Sequence, residues 1–127
     1  MTLGIISDLK RIFQTTNNVI IYSGTGTGAW EAALVNTLSP GDKVLMYETG
    51  HFANLWRNMA KRLGFEIELI AGDWCYPVEP NRIESKLSQD KTCEIKAICV
   101  VHNETSTGLT SNISEVRSAI DAIGHPA

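Results

Sequence analysis

Apolar positions along the chain switch repeatedly between a helical and an extended spacing. Ile5, Leu9, Ile12 and Phe13 recur on one helical face, which predicts an opening helix over 3–13. Asn17-Asn18 interrupts it, and the β-branched run Val19-Ile20-Ile21-Tyr22 predicts a strand. A stretch rich in glycine and threonine then leads into a helix running to about Leu38. Ser39-Pro40-Gly41-Asp42 has Pro and Gly in the order a tight turn prefers, so Lys43 to Tyr47 reads as a second strand. Phe52 to Leu63 is helical in spacing and is stopped by Gly64. Phe65 to Ile70 gives a third strand, after which Pro80 suits the first turn of a helix carrying Ile83 and Leu87 at i, i+4. Ile95 to Val101 is the most apolar strand, which predicts a central place in the sheet. Asn112 with Glu115 has the form of a capping box, and Ile113, Val116, Ile120 and Ile123 then face inward until Gly124.

Strands and helices in strict alternation predict an α/β fold, a parallel sheet with helices on both faces. There is no internal repeat, low-complexity tract or linker. Both ends look cut. Met1 begins within a helical pattern, and the chain stops at His125-Pro126-Ala127, where a further parallel strand is expected. Residues 1–127 are therefore expected to form a single partial domain, a piece of a larger one.

Composition narrows the class. The chain has 127 residues, 43% of them hydrophobic, and a formal net charge of −3. Its 11 Lys and Arg are scattered among 14 Asp and Glu, so no basic face for nucleic acid is expected. The longest apolar run, Ala97 to Val101, is too short to span a bilayer, and Met1-Thr2-Leu3-Gly4 opens an amphipathic segment rather than a secretory leader. Cys75, Cys93 and Cys99 form no Cys-x-x-Cys pair, and their odd number suits a reducing cytoplasm; they are read as inert.

Candidate chemistry lies in three segments. In Ser23-Gly24-Thr25-Gly26-Thr27-Gly28-Ala29-Trp30, a strand runs through glycines directly into a helix, a geometry that holds a phosphate on unpaired N–H groups and the helix dipole. Gly24, Gly26 and Ala29 also fit the Gly-x-Gly-x-x-Ala dinucleotide fingerprint, with Glu48 near the place of a ribose-binding acid. A glycine-rich turn without ligand competes equally, whereas a P-loop is excluded for want of a Lys-Ser or Lys-Thr pair. The second segment, His102-Asn103-Glu104-Thr105-Ser106-Thr107-Gly108, leaves the carboxyl end of the most apolar strand, where open α/β sheets bind ligands. Its polar density calls for a ligand or an internal hydrogen-bond network. His102-x-Glu104 opens like a zinc deaminase signature, but no Pro-Cys-x-x-Cys follows, and neither His102 nor Ser106 has a partner that would make it a hydrolytic base or nucleophile. The third segment, Glu48-Thr49-Gly50-His51-Phe52-Ala53-Asn54-Leu55-Trp56-Arg57, places an aromatic ring, Phe52, at a strand-to-helix junction where it can cover a flat ligand; Trp30 and Trp56 are core candidates.

Together with Leu38-Ser39-Pro40-Gly41-Asp42-Lys43-Val44, Gly72-Asp73-Trp74, Ile95 to Val101 and Gly124-His125-Pro126-Ala127, these segments resemble the class V aminotransferases of the type I pyridoxal phosphate fold. Within that family they look most like the serine–glyoxylate branch. The resemblance runs from about Leu9 to Ala127 and outweighs the single dinucleotide pattern. It implies pyridoxal 5'-phosphate as cofactor, with Thr25, Gly26 and Thr27 holding its phosphate and Phe52 stacking on its pyridine ring. Phe52 stands where the animal alanine–glyoxylate branch has Trp. Thr105 falls where the family donates a hydrogen bond to the phenolic oxygen, while Glu104 and His102 match the motif without touching the cofactor.

The resemblance also implies groups that this chain does not supply. These are an aspartate that keeps the pyridine nitrogen protonated, a lysine that forms the Schiff base, and an arginine for the substrate carboxylate. Lys43 and Lys96 lie away from the cofactor loops. The expected function is thus that of part of a transaminase for amino acid and 2-oxo acid substrates, inactive by itself, from a homodimeric parent. A small α/β module that binds a nucleotide or phosphate without catalysis is the alternative. In the family fold the first strand lies beside later ones, so 19–22 is expected to lack a neighbour and the isolated chain to be poorly stable.

Overall fold

The computed structural model describes residues 2–127; Met1, placed by its sequence in the opening helical pattern, lies outside the described residues. The elements are α1 (Thr2–Ile12), α2 (Gly26–Thr37), β1 (Lys43–Tyr47), α3 (His51–Arg62), β2 (Glu66–Ile70), α4 (Pro80–Gln89), β3 (Ile95–Cys99), the two-residue strands β4 (Asn103–Glu104) and β5 (Leu109–Thr110), and α5 (Ile113–Ile123). Strands β1 to β3 form a parallel sheet in the order β2-β1-β3, and β4 and β5 pair antiparallel.

The alternation along β1 divides the core. Leu45 and Tyr47 face one side, where they pack with Ile83 and Leu87 of α4 and Val116 and Ile120 of α5. Val44 and Met46 face the other, against Leu34 of α2 and Ala60 of α3. Successive strand residues point to opposite faces, so a strand buried on both must be apolar throughout, as Val44-Leu45-Met46-Tyr47 is. Helices therefore cover both faces, as expected.

Punctuation matches the sequence closely. Gly41 (φ +93°) turns the chain between Ser39 C=O and Asp42 N–H, 3.0 Å apart. Gly64 (φ +88°) ends α3, with Phe65 N–H returning to Ala60 C=O at 3.1 Å. Asn112 Oδ1 accepts from Glu115 N–H at 3.3 Å at the start of α5, and Gly124 caps its end in the left-handed region.

Three expectations need correction. No strand forms at 19–22; Ile20 and Ile21 are 81% and 61% exposed. A β-branched run favours extended backbone, but a strand exists only through a neighbour's ladder, and none among the described residues pairs with it. β1, not β3, is the central strand, because apolarity reports burial rather than order in the sheet. Ile113 is exposed at the first turn of α5, whereas Val116 and Ile120 are buried. Ile5 and Ile12 of α1 and Phe13 just beyond it are exposed too, while Leu9 on the same face is half-buried, so that face is only partly covered.

Candidate functional site

The carboxyl ends of β1 and β3 bring two of the three polar segments together. β1 runs through Glu48, Thr49 and Gly50 into α3, and β3 runs through Val100 and Val101 into the β4–β5 hairpin. The hairpin folds over the start of α3. Ser106 Oγ accepts from His51 N–H at 2.9 Å, Glu104 Oε1 from Phe52 N–H at 3.3 Å, and Glu104 Oε2 from Ala53 N–H at 3.0 Å. Asn54 N–H reaches Gly50 C=O at 3.1 Å, so the first four N–H groups of α3 are all satisfied. Gly50, at the N-cap, has no side chain to do this; the cap is delivered from 51 residues away.

Glu104 is 1% exposed and makes no ion pair among the described residues. Ser106 adds its hydroxyl at 2.6 Å and its N–H at 3.1 Å, both to Oε1. Burial pushes the Glu104 carboxyl up, but the Ser106 hydroxyl and the N–H groups of Ala53, Ser106 and Phe52 together outweigh it and hold it below the usual carboxylate range. The positive end of the α3 dipole acts in the same direction.

The N-terminus of α2 has the opposite character. Thr25 is its N-cap, accepting weakly from Gly28 N–H at 3.4 Å, and Ala29 N–H bonds Thr25 C=O at 3.1 Å. The N–H groups of Gly26 and Thr27 have no partner among the described residues. Thr25, Gly26 and Thr27 are exposed, and a Cβ built on Gly26 or Gly28 meets nothing within 4 Å. One helix start is closed by a carboxylate and the next is open to an anion.

Aromatic packing joins the two helices. Trp30 of α2 stacks on Trp56 of α3 with centroids 5.0 Å apart and planes 10° apart, and meets Phe52 edge-on at 6.5 Å. Both tryptophans are half-buried rather than core residues; Trp56 packs against the core cluster of Leu34, Val44 and Met46, and Trp30 belongs to neither cluster. Phe52 is also half-buried, one residue into α3. Thr105 is exposed between Glu104 and Ser106, so the hairpin that caps α3 also carries it.

The remaining candidates have other duties. Glu48 accepts from Trp74 Nε1 at 2.9 Å and Asn54 Nδ2 at 3.0 Å, and lies 3.8 Å from Arg57 Nη1; its carboxylate is engaged from three sides rather than offered to a ribose. Ser106 serves as a cap relay rather than a nucleophile, and His102, exposed, enters through its carbonyl, which accepts from Ser111 N–H at 2.8 Å. Sequence reasoning missed the capping role of Glu104. Its trace is indirect: a helix opening on Thr49-Gly50 without a local capping side chain needs an acceptor from elsewhere.

Comparison with known proteins places the chain as a whole. The profile of the family described as Aminotransferase class-V matches residues 5–125. The serine–glyoxylate aminotransferase of Methylorubrum extorquens is 49% identical over 128 aligned positions, covering 100% of this chain and 32% of that protein. That of Arabidopsis thaliana is 47% identical over 128 positions, with the same coverage of 100% and 32%. The crystal structure of an alanine–glyoxylate aminotransferase from Nostoc sp. superposes with a TM-score of 0.79 at 33% identity, covering 94% of this chain and 31% of that one. The chain thus spans about a third of the length of the curated relatives it matches.

Proposed function

The chain belongs to the class V aminotransferase family, and we propose that it forms the phosphate cup and ring platform of a pyridoxal-phosphate-dependent transaminase that takes the amino group of serine to glyoxylate, leaving hydroxypyruvate and glycine. The observation that carries the reading is the contrast between the two helix starts. The first turn of α3 is internally capped, while that of α2 presents the free N–H groups of Gly26 and Thr27 beside the Thr25 and Thr27 hydroxyls.

These residues fit the cofactor. A phosphate dianion needs several converging donors and a favourable dipole, and the start of α2 supplies both without a cation. An aromatic ring needs a flat apolar face, for which Phe52 is half-exposed at the neighbouring helix start. A phenolic oxygen needs a donor, and Thr105 is exposed on the loop that clasps that same start. When bound, the pyridine ring supplies the electron sink on which amino transfer depends. This chain's residues would hold and orient it: Thr25, Gly26 and Thr27 at the phosphate, Phe52 against the ring, and Thr105 at the ring oxygen.

We read the aspartate and lysine implied by the family as matching no residue of this chain. Lys43 opens β1 at the far end of the sheet and bonds Glu94, and Lys96 Nζ donates to Cys93 C=O at 2.9 Å. We take the two missing groups to come from a further part of the same protein, a homodimer acting in the cytoplasm, with residues 1–127 forming one part of its large domain. The chain alone is then expected to bind the cofactor but not to transaminate. Pyridoxamine phosphate, which needs no lysine to bind, is the direct probe. Saturable binding that weakens on Thr27→Ala and on Phe52→Ala supports the assignment, and binding indifferent to both removes it.

A further inference from the structure

We propose that Glu104 is the positioning residue of the cofactor site, holding Phe52 and Thr105 in one frame by clamping the first turn of α3 to the β4–β5 hairpin. The proposal rests on the cofactor reading above and adds to it a residue that touches no part of the cofactor.

A carboxylate this deeply buried, with no ion-pair partner among the described residues, is costly unless every lone pair is engaged. Here the donors come from both sides of the site. Phe52 and Ala53 offer N–H groups from α3, and Ser106 offers its N–H and hydroxyl from the hairpin. The Ser106 oxygen accepts from His51 N–H while its proton goes to Glu104, so the two side chains form one relay across the gap. Thr107 Oγ1 adds a longer tie to Thr49 C=O at 3.4 Å. The residue that holds the backbone of Phe52 is therefore the neighbour of Thr105, and neither can move without disturbing the other. A local Ser or Asp cap would have satisfied the same N–H groups without that coupling. Instead Gly50 leaves a notch that the Glu104 side chain fills.

A mere stabilising cap and a positioning clamp differ in what they change. Binding of pyridoxamine phosphate uses the phosphate cup, the ring face and the ring-oxygen donor, whereas inorganic phosphate uses the cup alone. In Glu104→Ala, pyridoxamine phosphate affinity is expected to fall about tenfold, the weight of one charge-assisted hydrogen bond, with inorganic phosphate affinity unchanged. Glu104→Gln, which keeps a carbonyl oxygen for the N–H groups, should recover part of the loss. Exchange of the Phe52 and Ala53 amides should quicken in step with it. Equal loss of both ligands, no loss of either, or a Gln variant no better than Ala overturns the clamp. Should Glu104→Ala fail to fold, Ser106→Ala removes the relay alone and must weaken pyridoxamine phosphate selectively. Thr27→Ala separates the two readings. If it weakens both ligands while Glu104→Ala weakens neither, the cup stands and the clamp falls; if it changes neither ligand, the cofactor reading itself falls.

Discussion

Gly50 and Glu104 compete for one volume: a Cβ added to Gly50 would lie 2.5 Å from Glu104 Cγ and 2.7 Å from both its Cδ and Ser106 Oγ. The carboxylate cannot retreat, since it is held by α3 on one side and the hairpin on the other. Gly50→Ala is expected to displace it and lower stability by about 2 kcal/mol or more, from overpacking together with unpaired N–H groups. The two effects share a cause, so they should not add. In a Glu104→Ala background the same Gly50 change should cost less, only the Ser106 contact remaining, as a double-mutant cycle in urea would read. Equal costs in both backgrounds would mean that the two residues act independently.

Acid sensitivity should trace to two carboxylates. Glu104 titrates below its unfolded value, because its hydrogen bonds outweigh burial. Asp90 does so mainly through Ile95 N–H; burial opposes this, and Glu94 N–H and His125 assist. For both, the unfolded chain binds the proton more readily. Their stabilisation is complete above the ordinary carboxylate value of about 4 and is lost as pH falls through the lower native value. Urea midpoints measured from about pH 7 to pH 2 should decline on the acid side, and Glu104→Gln and Asp90→Asn should each flatten part of that decline. An unchanged acid limb in both variants would remove these groups as its source.

Thiol chemistry should follow burial. Cys99 sits in the core under α2 and α3, and burial pushes its thiol up to about 12, so it carries almost no thiolate at neutral pH. Cys75 is exposed. An alkylating reagent is expected to modify Cys75 within the folded chain and to reach Cys99 only when denaturant is added, as peptide mass spectrometry would show. Rapid labelling of Cys99 in the native state would mean that the sheet face carrying it opens readily.

What the sequence disclosed followed the range of the interactions involved. Helical spacing, the Ser39 to Asp42 turn, the glycine at 64 and the Asn112 cap are settled within a few residues, and each was legible. Strand order was not, because Ile95 to Cys99 and Lys43 to Tyr47 are both apolar and nothing local says which has two neighbours. The run 19–22 has strand character without a ladder to join among the described residues. The open start of α2 was legible because its donors and cap lie within five residues. The closed start of α3 was hidden, because its acceptor lies beyond β3 and looked like one polar residue among several.

Gly28, at the start of α2, should respond with the opposite sign to Gly50, at the start of α3, and to Gly72. Gly28 lies inside α2, and a Cβ there meets nothing within 4 Å, so Gly28→Ala should stabilise the helix by roughly 0.5–1 kcal/mol. The same methyl group is added at the helix start proposed to hold the phosphate, so the gain in stability should come with weaker pyridoxamine phosphate binding. At Gly72 a Cβ would fall 1.9 Å from Glu48 C=O, against backbone that cannot swing aside. Glu48 is pinned there by its own N–H to Ile70 C=O at 3.0 Å and by Trp74 and Asn54 at its carboxylate. Gly72→Ala must therefore part the 71–74 segment from the end of the central strand, at a cost of about 3 kcal/mol or more. Thermal melts of the two variants, read beside ligand titrations, separate the positions. Gly72→Ala lowers the melting temperature, while Gly28→Ala raises it and loses affinity. A Gly28→Ala chain that binds as tightly as the parent would place the phosphate somewhere other than the start of α2.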